Sequence, residues 1–81
     1  MRNDGVDARK ERIQAIARKI VASLTANKDV GWISLDTTIA DIQYEDGLTE
    51  KRIMEYAAVG EKRGLYIIDK DNNQIKRVKT N

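Results

Sequence analysis

Asp69, Asp71 and Asn73 stand at the one-three-five spacing of a calcium loop, the most chemically suggestive spacing of carboxylates in this chain. Such a loop also needs glycine at its sixth position and a bidentate glutamate at its twelfth, where this sequence has Gln74 and Thr80. A metal site is therefore not expected. The chain has 13 Asp and Glu residues, but none falls in an expected pocket with a second carboxylate and an apolar wall, as a hydrolase would need. There is no histidine and no cysteine. The commonest general base, thiolate zinc sites and disulfides are thereby excluded. No glycine-rich phosphate loop is present either. The chain reads as a binding protein without cofactor, not as an enzyme.

What remains is the chemistry of charge. The 81 residues carry 15 Lys and Arg and a net charge of +2, unevenly spread. Residues 1–28 hold seven bases and three acids, whereas residues 29–48 hold five acids and no base. Residues 49–64 carry a net +1 and residues 65–81 a net +2. Polyanion binding depends on a local basic face more than on the total, so this balance permits it without requiring it. Apolar runs do not exceed four residues, so no membrane span is expected, and the expected setting is the cytoplasm. The length predicts one domain (residues 1–81, ordered core about 7–78) that buries roughly 60–65% of its unfolded surface.

The elements that would position these charges follow from periodicity and caps. From about Val6 to Ala26, apolar Ile13, Ile16, Ala17, Ile20, Val21 and Leu24 recur at helical steps. Met1–Gly5 is expected to fray. Trp32-Ile33-Ser34-Leu35 reads as a short strand, with Trp32 in the core. Asp36 is the expected cap of a second helix, Thr37 to Glu45, stopped at Gly47. Thr49 caps a third helix that ends at Gly64, with Ile53, Ala57 and Gly60 on its buried stripe. Gly60 inside a helix costs about 1 kcal/mol relative to Ala, so another element is expected to approach it closely, the first helix or the Trp32 ring. Leu65–Asp69 and Gln74–Val78 read as a hairpin about Lys70-Asp71-Asn72-Asn73, with Leu65, Ile67 and Ile75 inward and a bulge or strand end at Val78. The Trp32 strand is expected to pair with this hairpin, and Lys79–Asn81 to form a loose tail.

The order helix, strand, acidic helix, tight turn, capped helix, hairpin resembles the winged helix-turn-helix superfamily, an α+β fold. The chain is similar in particular to small DNA-binding regulators of archaea and their plasmids and viruses. The resemblance covers about Asp7 to Val78. It rests chiefly on Leu48-Thr49-Glu50-Lys51-Arg52-Ile53, then Glu55-Tyr56, closing on Glu61-Lys62-Arg63-Gly64-Leu65. The chain departs from the pattern at Ala57 and Gly60, where bulky aliphatics usually stand.

The resemblance implies that the third helix enters the major groove of double-stranded DNA and presents Thr49, Lys51, Arg52, Glu55 and Tyr56. Arg52 would read guanine, Lys51 a phosphate and Glu55 a cytosine amino group. At the hairpin, Lys70, Asn72 and Asn73 would reach the minor groove or backbone, and Lys76 and Arg77 would add phosphate contacts. Lys51, Arg52, Lys70 and Arg77 are then expected on one side of the molecule. A homodimer, joined through the basic first helix, would double the sequence read. Each residue also has an ordinary reading: solvated charge for Lys51, Arg52 and Lys62, a helical partner for Glu55, and core packing for Tyr56. The alternative function is a protein-interaction winged helix in a replication, transcription or membrane-remodelling complex. It is favoured by the acidic second helix and by a small apolar patch at Met54, Ala58 and Val59.

Overall fold

The computed structural model describes the backbone of residues 4–78 and the side chains of residues 8–78. The element order is α1 (Asp4–Ala26), β1 (Trp32–Ser34), α2 (Leu35–Asp46), α3 (Glu50–Lys62), β2 (Tyr66–Asp69) and β3 (Gln74–Arg77). Helix α1 begins at Asp4, so Asp4 and Gly5 belong to the helix rather than to a frayed end. The expectations for Met1–Asn3 and Lys79–Asn81 lie outside the described residues. The three strands form one antiparallel sheet in the order β1-β3-β2. This α+β topology is compatible with a winged helix.

One core holds the layers together. Ile16, Ile20 and Leu24 of α1 meet Ile39 and Ile42 of α2, Ile53, Tyr56 and Ala57 of α3, and Ile33, Tyr66 and Ile75 of the sheet. Val21 belongs to the expected α1 stripe but sits at its edge, exposed. Burying a residue of this kind contributes about 1.5–3 kcal/mol, and an 81-residue domain has few of them.

Strands β1 and β2 are offset by one residue from the expected alternation, so their side chains change face, whereas β3 keeps Ile75 inward as expected. The register sets Ile33, Ile75 and Ile68 in one row and Trp32, Lys76 and Ile67 in the next. The isoleucine row faces the helices. Trp32, expected in the core, therefore lies on the outer face, 40% exposed, and Ile67 and Leu65 are exposed as well. The physical cause is Tyr66. Its ring is almost wholly buried and its hydroxyl donates to the Ala57 carbonyl at 2.6 Å. That anchor fixes which residues of β2 point inward. The same ring is what approaches Gly60: a Cβ there would lie 2.6 Å from the tyrosine Cζ. The close approach was legible in the sequence, but its partner was not α1 or Trp32. Burial, with Glu61 nearby, pushes the Tyr66 phenol up to about 12.

The second helix starts one residue before the expected cap. Ser34, not Asp36, is the cap, and its hydroxyl accepts from the Thr37 amide at 3.3 Å. A second cap comes from far away in the chain. Asn73, in the left-handed region at φ 55°, accepts from the Leu35 amide with its carbonyl at 3.0 Å and from the Asp36 amide with its side chain at 2.9 Å. The hairpin turn thus satisfies two of the donors that a helix N-terminus leaves open. Gly47, at φ 68°, ends α2 as expected, and Leu48 packs against the core. Strand β3 ends at Arg77, which explains the break in alternation at Val78.

Candidate nucleic-acid interface

The first turn of α3 is built as the sequence implies. The Thr49 hydroxyl accepts from the Arg52 amide at 3.2 Å, and the helix runs to Lys62. Gly64 takes φ 80°, and the Leu65 amide donates back to the Gly60 carbonyl at 3.1 Å. At 100° per residue, the core residues Ile53, Ala57 and Gly60 fall opposite Lys51, Glu55, Ala58 and Lys62. Lys51, Arg52 and Glu55 are exposed. Arg52 lies to one side of this outer face, with its Nε 3.9 Å from the Glu55 carboxylate. This exposed pair contributes little to stability and leaves both groups available.

Across from the outer side of α3 lies the hairpin turn. Between them runs a groove of about 620 Å³, with Met54, Ala58, Ile67 and Ile68 as its apolar lining. Lys51 and Lys70 stand over it from opposite walls, together with Glu55, Glu61, Asp69 and Asp71. Two of these carboxylates are committed to the fold. Glu61 accepts from the Ile68 amide at 2.8 Å, closing the open edge of β2. Asp69 accepts from Asn72 Nδ2 at 2.8 Å and meets Lys76 Nζ at 2.9 Å. The side-chain hydrogen bond from Asn72 and the Lys76 ammonium hold the Asp69 carboxyl down at about 2. This engagement also accounts for the calcium-like spacing, since the segment is a hairpin rather than a loop between helices.

The ten residues expected at a DNA face therefore separate. Thr49, Lys51, Arg52 and Glu55 lie along the exposed first half of α3, and Lys70 faces Lys51 across the groove. Tyr56 is 6% exposed and belongs to the core. Asn73 is spent on capping α2, and Asn72 is tethered to Asp69. Lys76 is held by the same carboxylate, on the outer sheet face between Trp32 and Ile67. Arg77 is paired with Tyr66 at the base of the hairpin, the end away from Lys70. The expected convergence of four cations is thus not met: Lys51 and Lys70 share a groove, Arg52 flanks it, and Arg77 stands apart. Sequence reasoning missed the carboxylates opposite α3, because it did not reveal which strand residues face the helix. It also passed over Tyr44, which is 92% exposed on acidic α2.

Away from this groove, one ion cluster joins α1 to α2. Lys19 of α1 lies 3.2 Å from Glu45 and 3.0 Å from Asp46 of α2, and hydrogen bonding to these carboxylates raises its pKa. No helix among the described residues is long and apolar enough to cross a membrane. The chain matches no family model, no curated protein and no solved structure. The class it can be assigned to is therefore the one its own topology defines, a small α+β domain with an arrangement compatible with a winged helix.

Proposed function

We propose that this domain binds double-stranded DNA as a small transcriptional, plasmid or viral regulator, with the first half of α3 in the major groove. The observation that carries this reading is the placement of Lys51, Arg52 and Lys70 about a capped helix whose outer side is exposed. A 13-residue helix is about 20 Å long and fits a major groove roughly 12 Å wide. Arg52 would exchange its loose contact with Glu55 for a guanine edge, and Glu55 would then be free to accept from a neighbouring cytosine. Lys51 and Lys70 would meet phosphates, with the hairpin acting as a wing. The role is one of binding, without cofactor or catalysis. Specificity for a long site would need a second copy, because one domain this small reads few bases. The test is a mobility shift at low and raised salt with the wild type and Arg52→Glu. A shift that is lost in the variant and weakened by salt supports the reading; no shift at low salt sinks it.

A second reading has its own supporting observation. The groove between α3 and the hairpin has an apolar lining and four carboxylates against two lysines. Such a surface repels phosphate and suits a protein partner with apolar and basic side chains. Arg52→Glu separates the two readings, because it should leave a protein complex formed through this groove intact while abolishing DNA binding.

A further inference from the structure

Tyr44 is the most exposed of the large hydrophobic side chains among the described residues, at 92%, and nothing in the fold uses its ring. It projects from α2 beside Asp41 and Glu45, and with them and Lys19, which already pairs with Glu45 at 3.2 Å, it lines a shallow hollow in which the carboxylates outnumber the ammonium. The domain therefore carries an aromatic knob flanked by negative charge. An aromatic ring is costly to leave in water, and a tyrosine combines apolar area with a polar tip in a way that suits interfaces.

A complementary feature lies elsewhere on the same molecule. Ala17, Arg18, Val21 and Ala22 of α1, with Arg63 and Leu65 after α3, enclose an open groove of about 480 Å³. Val21 and Leu65 are exposed there although both are apolar. The charges at its rim, Arg18 and Arg63, are opposite in sign to Asp41 beside Tyr44. The two features also lie on different flanks of α1. Val21 faces the groove, whereas Ser23 belongs to the hollow beside Tyr44. At 100° per residue these two positions are about 200° apart.

We infer that the domain self-associates head to tail, with Tyr44 of one copy seated in the groove of the next. Asp41 then faces the arginines of the groove, Arg18 and Arg63, across the contact, while Glu45 keeps its pairing with Lys19. Because knob and groove differ and lie on opposite flanks, the contact is heterologous, and each added copy exposes a fresh knob and a fresh groove. One tyrosine and a few aliphatic groups make a small interface, so the association is weak and transient in free solution. It matters most where copies are held side by side. This inference does not rest on DNA binding, since the surfaces involved exclude Lys51, Arg52 and Lys70.

The test is analytical ultracentrifugation of the full chain without nucleic acid, from micromolar to millimolar concentration and at two salt levels. The average mass should climb past that of two copies and fall as salt screens the charge pairs. Tyr44→Ser, at an exposed position, should weaken association about tenfold or more. Val21→Glu, which places a carboxylate in the groove on a helical surface, should do the same, with Arg63→Glu as a second groove variant if the first melts early. Mixing the Tyr44 and groove variants is decisive, because each retains the half that the other has lost. The mixture should form one-to-one pairs that grow no further. A wild type that stays monomeric throughout, a dimer that stops at two and ignores Tyr44→Ser, or a mixture that shows no pairing would each overturn the inference.

Discussion

Gly60 shows how a single hydrogen atom can decide packing. Alanine is intrinsically better in a helix by about 1 kcal/mol. Here a Cβ would press on the Tyr66 ring, which is buried and held by its hydrogen bond to Ala57, so the ring has nowhere to swing. Overpacking of this kind costs typically 1–3 kcal/mol, and the displaced ring would also lose its hydroxyl contact. Gly60→Ala is therefore expected to destabilise the domain by about 1–2 kcal/mol in urea denaturation. In a Tyr66→Leu background the same substitution should cost much less, a coupling that a double-mutant cycle reads directly. A neutral or stabilising Gly60→Ala in the wild type would refute this account. At this scale the sequence was half legible. A glycine in mid-helix announces a close approach, but tyrosine types near it do not say which ring arrives.

Among the elements, the helices were easier to read than the hairpin, and the reason is redundancy. Helix α1 repeats its apolar signal over 23 residues, so an edge residue such as Val21 does not shift the assignment. Strands of three and four residues carry too few alternations to fix a face. In β2 both Ile67 and Ile68 could have filled the inner position, and the choice fell to Tyr66, two residues away. The α2 cap was misread because Ser34 and Asp36 are both good capping residues, and only Asn73 from the turn resolves the start. The hairpin also carries a pH dependence. Asp69 sits at about 2 when folded, below the ordinary carboxylate near 3.9, so it stabilises the fold above pH 4 and that contribution disappears as pH falls toward 2. Urea melts at pH 5, 3 and 2 should show the wild type converging on Asp69→Asn as the medium becomes acid. Parallel curves, with a constant gap, would mean that the carboxylate has no such role.

For the whole molecule, the governing fact is that some of its cations are already met by carboxylates. Lys19 is met by Glu45 and Asp46 and Lys76 by Asp69, and the proposed interface rests on Lys51, Arg52 and Lys70. The two phosphate contacts of Lys51 and Lys70 predict a logarithmic salt slope of about −2 per copy, far below that of strongly basic DNA binders. Lys51→Glu or Lys70→Glu should each reduce that slope by about one; a slope near zero in the wild type would point to the protein-partner reading. The layout of helices and strands could be anticipated from the chain, because caps, glycines and apolar periods agree with one another. The site was legible only in part. Residue types marked the candidates on α3, but whether each cation stands opposite a phosphate or a carboxylate depends on contacts between residues far apart in sequence.

The two hydrogen bonds that Asn73 accepts from the start of α2 join positions 37 residues apart at Asp36, and so link the order of events in folding. Amides in the first turn of a helix normally exchange with solvent quickly, because nothing within the helix protects them. Those of Leu35 and Asp36 instead wait on the hairpin. Their deuterium uptake should keep pace with that of Ile75 in β3 rather than with other helix beginnings. The nascent chain, in turn, cannot close these two bonds until Asn73 has arrived, although Ser34 can cap the helix before then.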